Sequence, residues 1–261
     1  MTQFACAFSA LIHDVDHSGV SNAQLVKENS PEVALFGDRS VAEQNSLHLA
    51  WDLLFDDNKY KNFRRCLLST KTEVNRFRAL VVNSVMATDI VDKDLKELRN
   101  GRWEKAFHNN TKEDNNTTTQ TSGDNDKIES RDAVNRKATI VIEHIIQASD
   151  VCHTMQHWHV YRKWNERLFF ELYTAYKCGR MEANPATFWA KSEIGFFDYY
   201  IIPLAKKLKE CGVFGVSSGE FLDYAMKNRT EWLAEGETIV AEMIEKYSKL
   251  QYDKKIDSIP E

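Results

Sequence analysis

Proline and glycine are scarce in this sequence. Its 261 residues include only 4 prolines and 10 glycines. A protein of many short strands needs these residues at its tight turns, so the composition argues against a many-stranded β protein. Hydrophobic residues make up 43% of the chain. That share is enough for one large globular domain, or two small ones, with a substantial core.

Long apolar runs are also lacking, and no basic region precedes the apolar stretch at the N-terminus. The sequence therefore predicts neither direct membrane insertion nor a signal peptide. The five cysteines are odd in number and never form a C-x-x-C pair. This pattern predicts buried thiols in a reducing compartment. We expect a cytoplasmic location, for the chain alone or within a larger membrane-attached signalling protein, and the sequence does not indicate an oligomeric state.

The sequence has no segment in which basic residues are concentrated. The net charge is −5, and lysine and arginine are scattered along the chain. Nucleic-acid phosphates require a concentrated basic surface, so a nucleic-acid partner is disfavoured. A small anionic substrate remains compatible with this charge if a bound metal ion supplies positive charge locally.

Helical periodicity runs through most of the sequence. Apolar side chains recur at helical spacing, and no convincing period-two strand is present. We therefore predict an all-α protein, a compact multi-helix bundle. The repeating positions are Phe4, Phe8 and Leu11; Val74, Phe77, Val81 and Val85; Ile142, Ile145, Ile146 and Ser149; and Phe221, Tyr224, Ala225, Trp232, Ile239, Met243 and Tyr247.

One segment interrupts the periodicity. From Asn109 to Lys127 there is no aliphatic, aromatic or cysteine residue. Such a segment cannot bury enough surface to offset its ordering entropy, so we predict a disordered surface loop. We assign one domain to residues 1–250, with a disordered insert at about 109–136, and a polar tail to residues 251–261.

The string His13-Asp14-Val15-Asp16-His17 ends the apolar segment FACAFSALI. Imidazole and carboxylate groups suit Zn²⁺, Mn²⁺ or Mg²⁺. His13 and His17 are one helical turn apart, while adjacent His13 and Asp14 reach one ion most easily where a helix ends. This pattern predicts metal ligands. The alternative is a polar helix end capped by aspartates.

Asp150 strengthens the metal hypothesis. It follows Ile146 by four residues and Ile142 by eight, which places a carboxylate on the apolar stripe of a helix. Burying an unpaired carboxylate costs several kcal/mol, so the position predicts a metal ligand or a buried salt bridge. Asp89 lies on the Val81–Val85 face of its helix, so it too is predicted to be a metal ligand or part of a buried salt bridge. Together these residues predict a metal centre in a helical bundle.

Five stretches of the chain, in order, carry a resemblance to one family. They are ALIHDVDHSGVSNAQLVKENSPEVALFGDRSVAEQNS, SVMATDI, QASDVCHTMQHWHVYRKWNERL, KSEIGFFDYYIIPLAKKL and NRTEWLAE. They resemble the HDxDHxGxxN region, the ATD segment, the last metal aspartate with its Tyr-Arg-x-Trp, the SQxGFxDxxxxPL segment and the closing helix of class I cyclic nucleotide phosphodiesterases. Several motifs in order are far more specific than one. The resemblance implies a helical HD-type catalytic domain that hydrolyses cAMP or cGMP to 5′-nucleoside monophosphates in signal transduction.

The resemblance also implies two divalent ions, a zinc ion and a magnesium or manganese ion. His13, Asp14 and Asp150 would bind the first ion, and Asp14 would bridge to the second. The residues that would orient waters and ligands around the ions are His17, Glu43 and Asp89.

The resemblance implies a purine-binding site in which two residues differ from those of the family. Leu168 and Phe196 would clamp the purine ring, and Glu193 would face its edge. Glu193 replaces the family's glutamine, and a carboxylate only accepts hydrogen bonds whereas an amide also donates them. His153 replaces a base-contacting asparagine. A cyclic nucleotide is therefore the expected ligand, without a predicted preference between cAMP and cGMP.

The family's HNxxH motif lies upstream of HDxDH and supplies a general acid and a further metal ligand. No histidine precedes His13 here. We interpret the chain as an N-terminally truncated catalytic domain and expect little hydrolysis from it alone. The alternatives are a catalytically impaired regulatory or nucleotide-binding domain with the same fold, and another HD-type phosphohydrolase. The matched segment around Phe196 argues against the latter.

Overall fold

The computed structural model describes residues 1–108 and 131–257, and over these residues the chain is helical and has no β-strand. The predicted all-α class is confirmed. The α-helices are α1 (Thr2–Ile12), α2 (Asn22–Glu28), α3 (Pro31–Phe36), α4 (Val41–Leu54), α5 (Lys61–Leu67), α6 (Lys71–Met86), α7 (Lys93–Phe107), α8 (Arg131–Asp150), α9 (Trp158–Lys177), α10 (Trp189–Phe196), α11 (Ile202–Cys211) and α12 (Glu220–Asp257). A π-helical segment, Phe197–Ile201, joins α10 to α11.

Two predicted boundaries differ from the structure. The predicted loop Asn109–Lys127 lies outside the described residues, but residues 131–136, which we assigned to the insert, form the start of α8. Likewise α12 continues to Asp257 through most of the predicted tail. Both stretches lack glycine and proline and contain good helix formers, so the helices continue through them.

The chain divides into two compact units. The assignment of residues 1–250 to one domain stays a prediction. The first unit comprises Met1–Asp16 and Leu35–Asp150, and the second comprises His17–Ala34 and Val151–Glu261. Helices α1, α4, α6, α7 and α8 therefore belong to the first unit, and α9 to α12 belong to the second.

An aromatic cluster forms the core of the first unit. The ring of Phe77 on α6 is fully buried, and its centroid lies 5.5 Å from Phe4, 5.8 Å from Phe8 and 6.1 Å from Trp51. These contacts pack α1 and α4 onto α6. Thr70 and Glu73 form a capping box that fixes the start of α6.

The face that α1 buries differs from the predicted one. Leu11 is 77% exposed, whereas Ala5, Ser9 and Ile12 are buried. The buried side chains of Ala5 and Ser9 are small, which allows α1 to approach its neighbouring helices closely. Ser9 Oγ donates to the carbonyl of Ala5 at 2.8 Å, so its burial leaves no unpaired hydroxyl.

A second aromatic cluster forms the core of the other unit. The ring centroid of Tyr161 on α9 lies 5.3 Å from that of Phe197 and 5.7 Å from that of Trp232 on α12. All three side chains are buried. Trp232 Nε1 donates to the carbonyl of Ala190 at 3.0 Å, which ties α12 to α10.

The cysteines differ from the prediction in their burial. Cys66, Cys152 and Cys178 are exposed, Cys6 and Cys211 are half-buried, and none forms a disulfide. A cysteine side chain is small, so leaving it exposed to solvent costs little free energy, and its hydrophobicity does not determine whether it is buried. Across residues 1–108 and 131–257, no helix combines the length and the apolar character that crossing a bilayer requires.

Candidate functional site

The end of α1 presents His13 and Asp14 on a tight turn. The N–H of His13 still bonds the carbonyl of Ser9 at 3.0 Å, and the chain then turns at Asp16, whose φ is +64°. Helix α4 holds this turn in place. Ser46 Oγ donates to the carbonyl of Val15 at 2.8 Å, and Asn45 Nδ2 donates to Asp16 Oδ2 at 3.3 Å.

Asp150 reaches this turn as the last residue of α8. Its side chain is 33% exposed, so our prediction that it lies on a buried face is wrong. The polar residues that α8 buries are Glu143, His144 and Gln147. Within the described residues, no neighbouring element covers the last residue of α8. Asp150 is therefore exposed to solvent, although Ile146, one turn earlier on the same face, is buried.

His13, Asp14 and Asp150 nevertheless converge. His13 Nε2 lies 3.3 Å from Asp14 Oδ2 and 3.3 Å from Asp150 Oδ1. All three ligand atoms lie within 4.8 Å of one another. Tetrahedral bonds of about 2.0–2.2 Å place ligand atoms roughly 3.4 Å apart, so the two histidine–aspartate separations already match a shared ion.

The orientation of the His13 ring also suits a metal ligand. Nδ1 lies 3.0 Å from the carbonyl of Ala10, which can only accept, so Nδ1 carries the hydrogen. In the neutral ring Nε2 then offers its lone pair towards the two carboxylates. The hydrogen bond with Asp150 raises the pKa of His13 to about 9, against the opposing effect of burial. Below that pKa the ring is protonated and Nε2 donates to Asp150, so a divalent metal ion that binds here must displace the Nε2 proton. With that proton removed, one ring nitrogen and two carboxylates face one another, and these residues fit a divalent metal ion.

Asp89, predicted to orient metal ligands, is buried and hydrogen-bonded. Ser40 Oγ donates to Asp89 Oδ2 at 2.6 Å, and the backbone N–H groups of Val91 and Asp92 donate to Oδ1 at 3.2 and 3.1 Å. These bonds organise the turn between α6 and α7. Glu43 is half-buried in the first turn of α4.

His17, the other predicted orienting residue, is exposed and belongs to the second unit. Its Nδ1 accepts from the N–H of Gly19 at 3.2 Å, so in the neutral ring Nε2 carries the hydrogen.

Glu193 on α10 is buried, with 7% of its surface exposed. Its Oε2 accepts from Tyr161 Oη at 2.6 Å and from Asn165 Nδ2 at 2.7 Å. Asn165 Oδ1 in turn accepts from Trp189 Nε1 at 3.1 Å. Tyr161 and Asn165 lie one turn apart on the same face of α9, which aims both donors at one oxygen.

Burial dominates the electrostatics of this group. Desolvation raises the pKa of Glu193 to about 7, although the hydrogen bonds from Tyr161 and Asn165 oppose the shift. Burial, with the adjacent carboxylate, also raises the pKa of Tyr161 well above its usual value. Neither hydrogen-bond donor carries a positive charge, so the Glu193 carboxylate is hydrogen-bonded but its charge is not neutralised.

The remaining predicted purine contacts also lie in the second unit. The ring of His153 is parallel to that of Tyr161, with centroids 6.5 Å apart, so His153 and Glu193 share Tyr161 as a neighbour. Phe196 stacks on Tyr200 at 5.4 Å. Leu168 on α9 is 42% exposed and therefore available to a ligand.

The residues that hold Glu193 were not predicted from the sequence. Tyr161, Asn165, Phe169 and Tyr173 form the buried stripe of α9. Asn165 lies on this apolar stripe, and an asparagine in such a position predicts a buried hydrogen-bond partner. The pattern could therefore have been recognised in the sequence. The sequence does not reveal that the partner is Glu193.

A family model described as 3′5′-cyclic nucleotide phosphodiesterase matches residues 1–213. This match extends over most of the chain and includes both the His13–Asp14 turn and Glu193. The chain therefore belongs to the 3′,5′-cyclic nucleotide phosphodiesterase family, as the resemblance of its motifs predicted.

Individual relatives agree with this assignment. The chain is 29% identical over 213 residues to the "Probable 3′,5′-cyclic-AMP phosphodiesterase pde-4" of Caenorhabditis elegans, covering 77% of this chain and 28% of that protein. It is 25% identical to the human "Dual specificity calcium/calmodulin-dependent 3′,5′-cyclic nucleotide phosphodiesterase 1C", covering 77% of this chain and 25% of that protein. The chain thus spans about a quarter of the length of these curated relatives.

The fold is also found in a solved structure. The phosphodiesterase domain of the Salpingoeca rosetta rhodopsin phosphodiesterase superposes with a TM-score of 0.67 and 22% sequence identity. The match covers 97% of this chain and 69% of that domain. At this identity the similarity establishes the fold.

Proposed function

We propose that this chain carries catalytic residues for the metal-dependent hydrolysis of 3′,5′-cyclic nucleotides to 5′-nucleoside monophosphates. The observation that carries this proposal is the convergence of His13, Asp14 and Asp150, whose ligand atoms lie within 4.8 Å of one another although Asp150 is far from the others in sequence. Membership of the phosphodiesterase family supports the substrate class.

His13, Asp14 and Asp150 would hold one divalent ion, with zinc favoured by the imidazole ligand. Asp14, whose side chain is 63% exposed, is open to a second ion such as magnesium or manganese. Bound ions would supply Lewis acidity towards the phosphate oxygens and would lower the pKa of water.

The protein's own contribution at this centre is positioning. The hydrogen bond from His13 Nδ1 to Ala10 fixes the ring so that Nε2 faces the ligands. Ser46 and Asn45 hold the turn that carries Asp14. The proposed orienting roles are those of His17, Glu43 and Asp89, and the buried hydrogen bonds of Asp89 support a rigid position for its carboxylate.

Nucleotide recognition is proposed for the second unit. Glu193, with His153, would contact the purine, and Leu168 and Phe196 would cover its faces. Glu193 Oε2 already accepts two hydrogen bonds, so base contacts would depend on Oε1. A protonated Glu193 donates as a glutamine amide does, and its pKa of about 7 supports this form in mildly acidic solution.

We also propose a cytoplasmic location. The five cysteines are free and three of them are exposed. Exposed free thiols persist most readily in a reducing compartment.

Metal binding and turnover, measured on the full chain, test this proposal. Zinc and magnesium should bind to the metal-free protein in a calorimetric titration, and Asp150→Asn should weaken zinc binding at least tenfold because it removes a charged ligand. Asp38→Asn is the matched control, since Asp38 is exposed and lies outside the cluster. Hydrolysis of cAMP and cGMP is then followed by chromatography with both ions present.

The outcomes separate the candidate functions. Hydrolysis that Asp150→Asn abolishes and Asp38→Asn preserves supports the enzyme. Binding of nucleotide and metal without turnover agrees both with the little hydrolysis expected of this chain alone and with the regulatory or nucleotide-binding alternative. If Asp150→Asn and Asp38→Asn bind zinc equally, the proposed metal centre is wrong.

A further inference from the structure

A cationic pocket lies in the first unit, where the C-terminal half of α7 faces the N-terminal half of α8. Its volume is about 330 Å³. Four positively charged side chains line it, together with an apolar floor. The charged residues are Arg102, Lys105, Arg136 and Lys137, and the floor is formed by Ala106, Ala133 and Ile140.

Arg102 and Lys137 have interaction partners, whereas the charges of Lys105 and Arg136 are not compensated by the described residues. Arg102 is paired with the buried carboxylate of Glu143 at 3.0 Å. Lys137 Nζ lies 5.8 Å above the ring of Phe107. For Lys105 and Arg136, the described residues provide no hydrogen bond and no ion pair, and no described carboxylate lines the pocket.

This concentration of positive charge contrasts with the net charge of the whole chain, which is −5. Like charges brought together repel unless an anion lies between them. The Glu143 ion pair fixes Arg102 at the pocket wall, so the cluster does not depend only on mobile surface side chains.

We propose that this pocket binds a small organic polyanion, with two or more negative charges and an apolar portion that rests on Ile140. Phosphate esters have this chemistry. Arginine and lysine would contact the phosphate oxygens. The volume lies at the lower end of the range of about 300–1,000 Å³ that small-ligand pockets occupy. The site is separate from the proposed metal centre and does not depend on the proposed function.

Inorganic pyrophosphate is the first probe. It is titrated into the full chain by calorimetry, after a chelating resin has removed metal ions so that the metal centre does not contribute. We expect saturable binding that weakens as salt is raised, because part of the attraction is screened. The double variant Lys105→Gln/Arg136→Gln should lower the affinity about a hundredfold, since each of the two charged hydrogen bonds is worth about a factor of ten.

The matched control is Lys61→Gln/Arg65→Gln, two positions on α5 outside the pocket. It removes the same net charge and should change affinity by less than about twofold if contacts rather than overall charge matter. Each single variant at Lys105 and Arg136 is measured as well, with circular dichroism to verify folding. A second titration compares 1-naphthyl phosphate with inorganic phosphate, and the ester should bind more tightly because of the apolar floor.

Three results overturn the proposal. The first is the absence of saturable pyrophosphate binding. The second is an equal loss of affinity in the pocket variant and the α5 control, which would indicate attraction by net charge. The third is equal affinity for 1-naphthyl phosphate and inorganic phosphate, which would exclude an organic ligand resting on Ile140.

Discussion

Glu193 shows how burial changes the chemistry of a single residue. Its carboxyl group accepts from Tyr161 and Asn165, two neutral donors, and desolvation raises its pKa from 4.5 to about 7. The folded state therefore binds a proton more tightly than the unfolded chain. Stability from this group is fully present below pH 4.5 and is lost as the pH rises through 7.

The substitution Glu193→Gln should flatten this dependence. The difference in pKa corresponds to about 3 kcal/mol lost between acidic and alkaline solution. Glutamine keeps an oxygen for Tyr161 and Asn165 but does not ionise. We expect the variant to be more stable than the wild type by about 1–3 kcal/mol at pH 8, and closer to it at pH 5. Urea denaturation at both pH values measures this change.

Glu235→Gln serves as the control for this measurement, because Glu235 is exposed on α12 in the same unit. It should leave the pH profile of the wild type unchanged. A Glu193→Gln profile that is parallel to the wild type would mean that Glu193 is already neutral, or is compensated, throughout this range.

The same substitution tests the proposed purine contact. An ionised Glu193 accepts from a base but repels the acceptor beside that donor, whereas a protonated Glu193 or a glutamine also donates. We expect the affinity of the wild type for cAMP and cGMP to fall between pH 6 and pH 8. Glu193→Gln should bind about tenfold more tightly at pH 8, the effect of one unpaired buried group. If the wild type and Glu193→Gln bind each nucleotide with equal affinity at every pH, Glu193 does not contact the base.

Among the helices, periodicity predicts the element more reliably than the buried face. Phe77, Val81 and Val85 on α6 are buried as their spacing predicts. Leu11 and Asp150 are exposed, and each lies in the last turn or at the last residue of its helix. Apolar spacing can continue to the end of a helix, while burial requires a partner that covers that end. The sequence does not show which element will cover the end of a helix.

Two helical glycines should respond to alanine in opposite directions. Gly101 on α7 has no atom within 4 Å of the position that a Cβ would occupy, whereas at Gly236 on α12 a Cβ would lie 2.9 Å from Trp232 Nε1. Gly101→Ala should stabilise the protein by about 0.5–1 kcal/mol through helix propensity. Gly236→Ala should destabilise it by about 1–3 kcal/mol because the buried Trp232 must move.

Thermal unfolding of both variants measures the contrast, and each glycine serves as the control for the other. Helix propensity alone would make both variants more stable. Stabilisation by Gly236→Ala would therefore show that Trp232 has room to shift within the core of α9, α10 and α12.

At the scale of the molecule, the candidate metal centre depends on a long-range encounter. His13 and Asp14 follow α1, and Asp150 ends α8, with α4, α6 and α7 between them in sequence. Metal chemistry and the resemblance to phosphodiesterases predicted that these residues meet. The reason given for Asp150, burial on an apolar stripe, was wrong. The 3.3 Å separations come from the packing of α8 on α1 and α6, which no local pattern specifies.

An ion bound at this meeting point should stabilise the folded chain. The unfolded chain does not hold His13 and Asp150 together, so a metal that binds only the folded state stabilises it by about 2.7 kcal/mol at 100 times its dissociation constant. For a chain of this size, each kcal/mol raises the midpoint of unfolding by about 2–4 °C. Zinc added to metal-free protein should therefore raise that midpoint by roughly 5–10 °C.

Asp150→Asn should remove about half of this increase or more, and Asp38→Asn should retain it, with calorimetry in the absence of metal providing each baseline. The comparison separates the ion from the fold, because the loss of a ligand changes the response to zinc even where it leaves the metal-free midpoint unchanged. A zinc response that is the same in all three proteins would mean that zinc binds elsewhere. His13, Asp14 and Asp150 would then form only a hydrogen-bonded junction between the ends of α1 and α8.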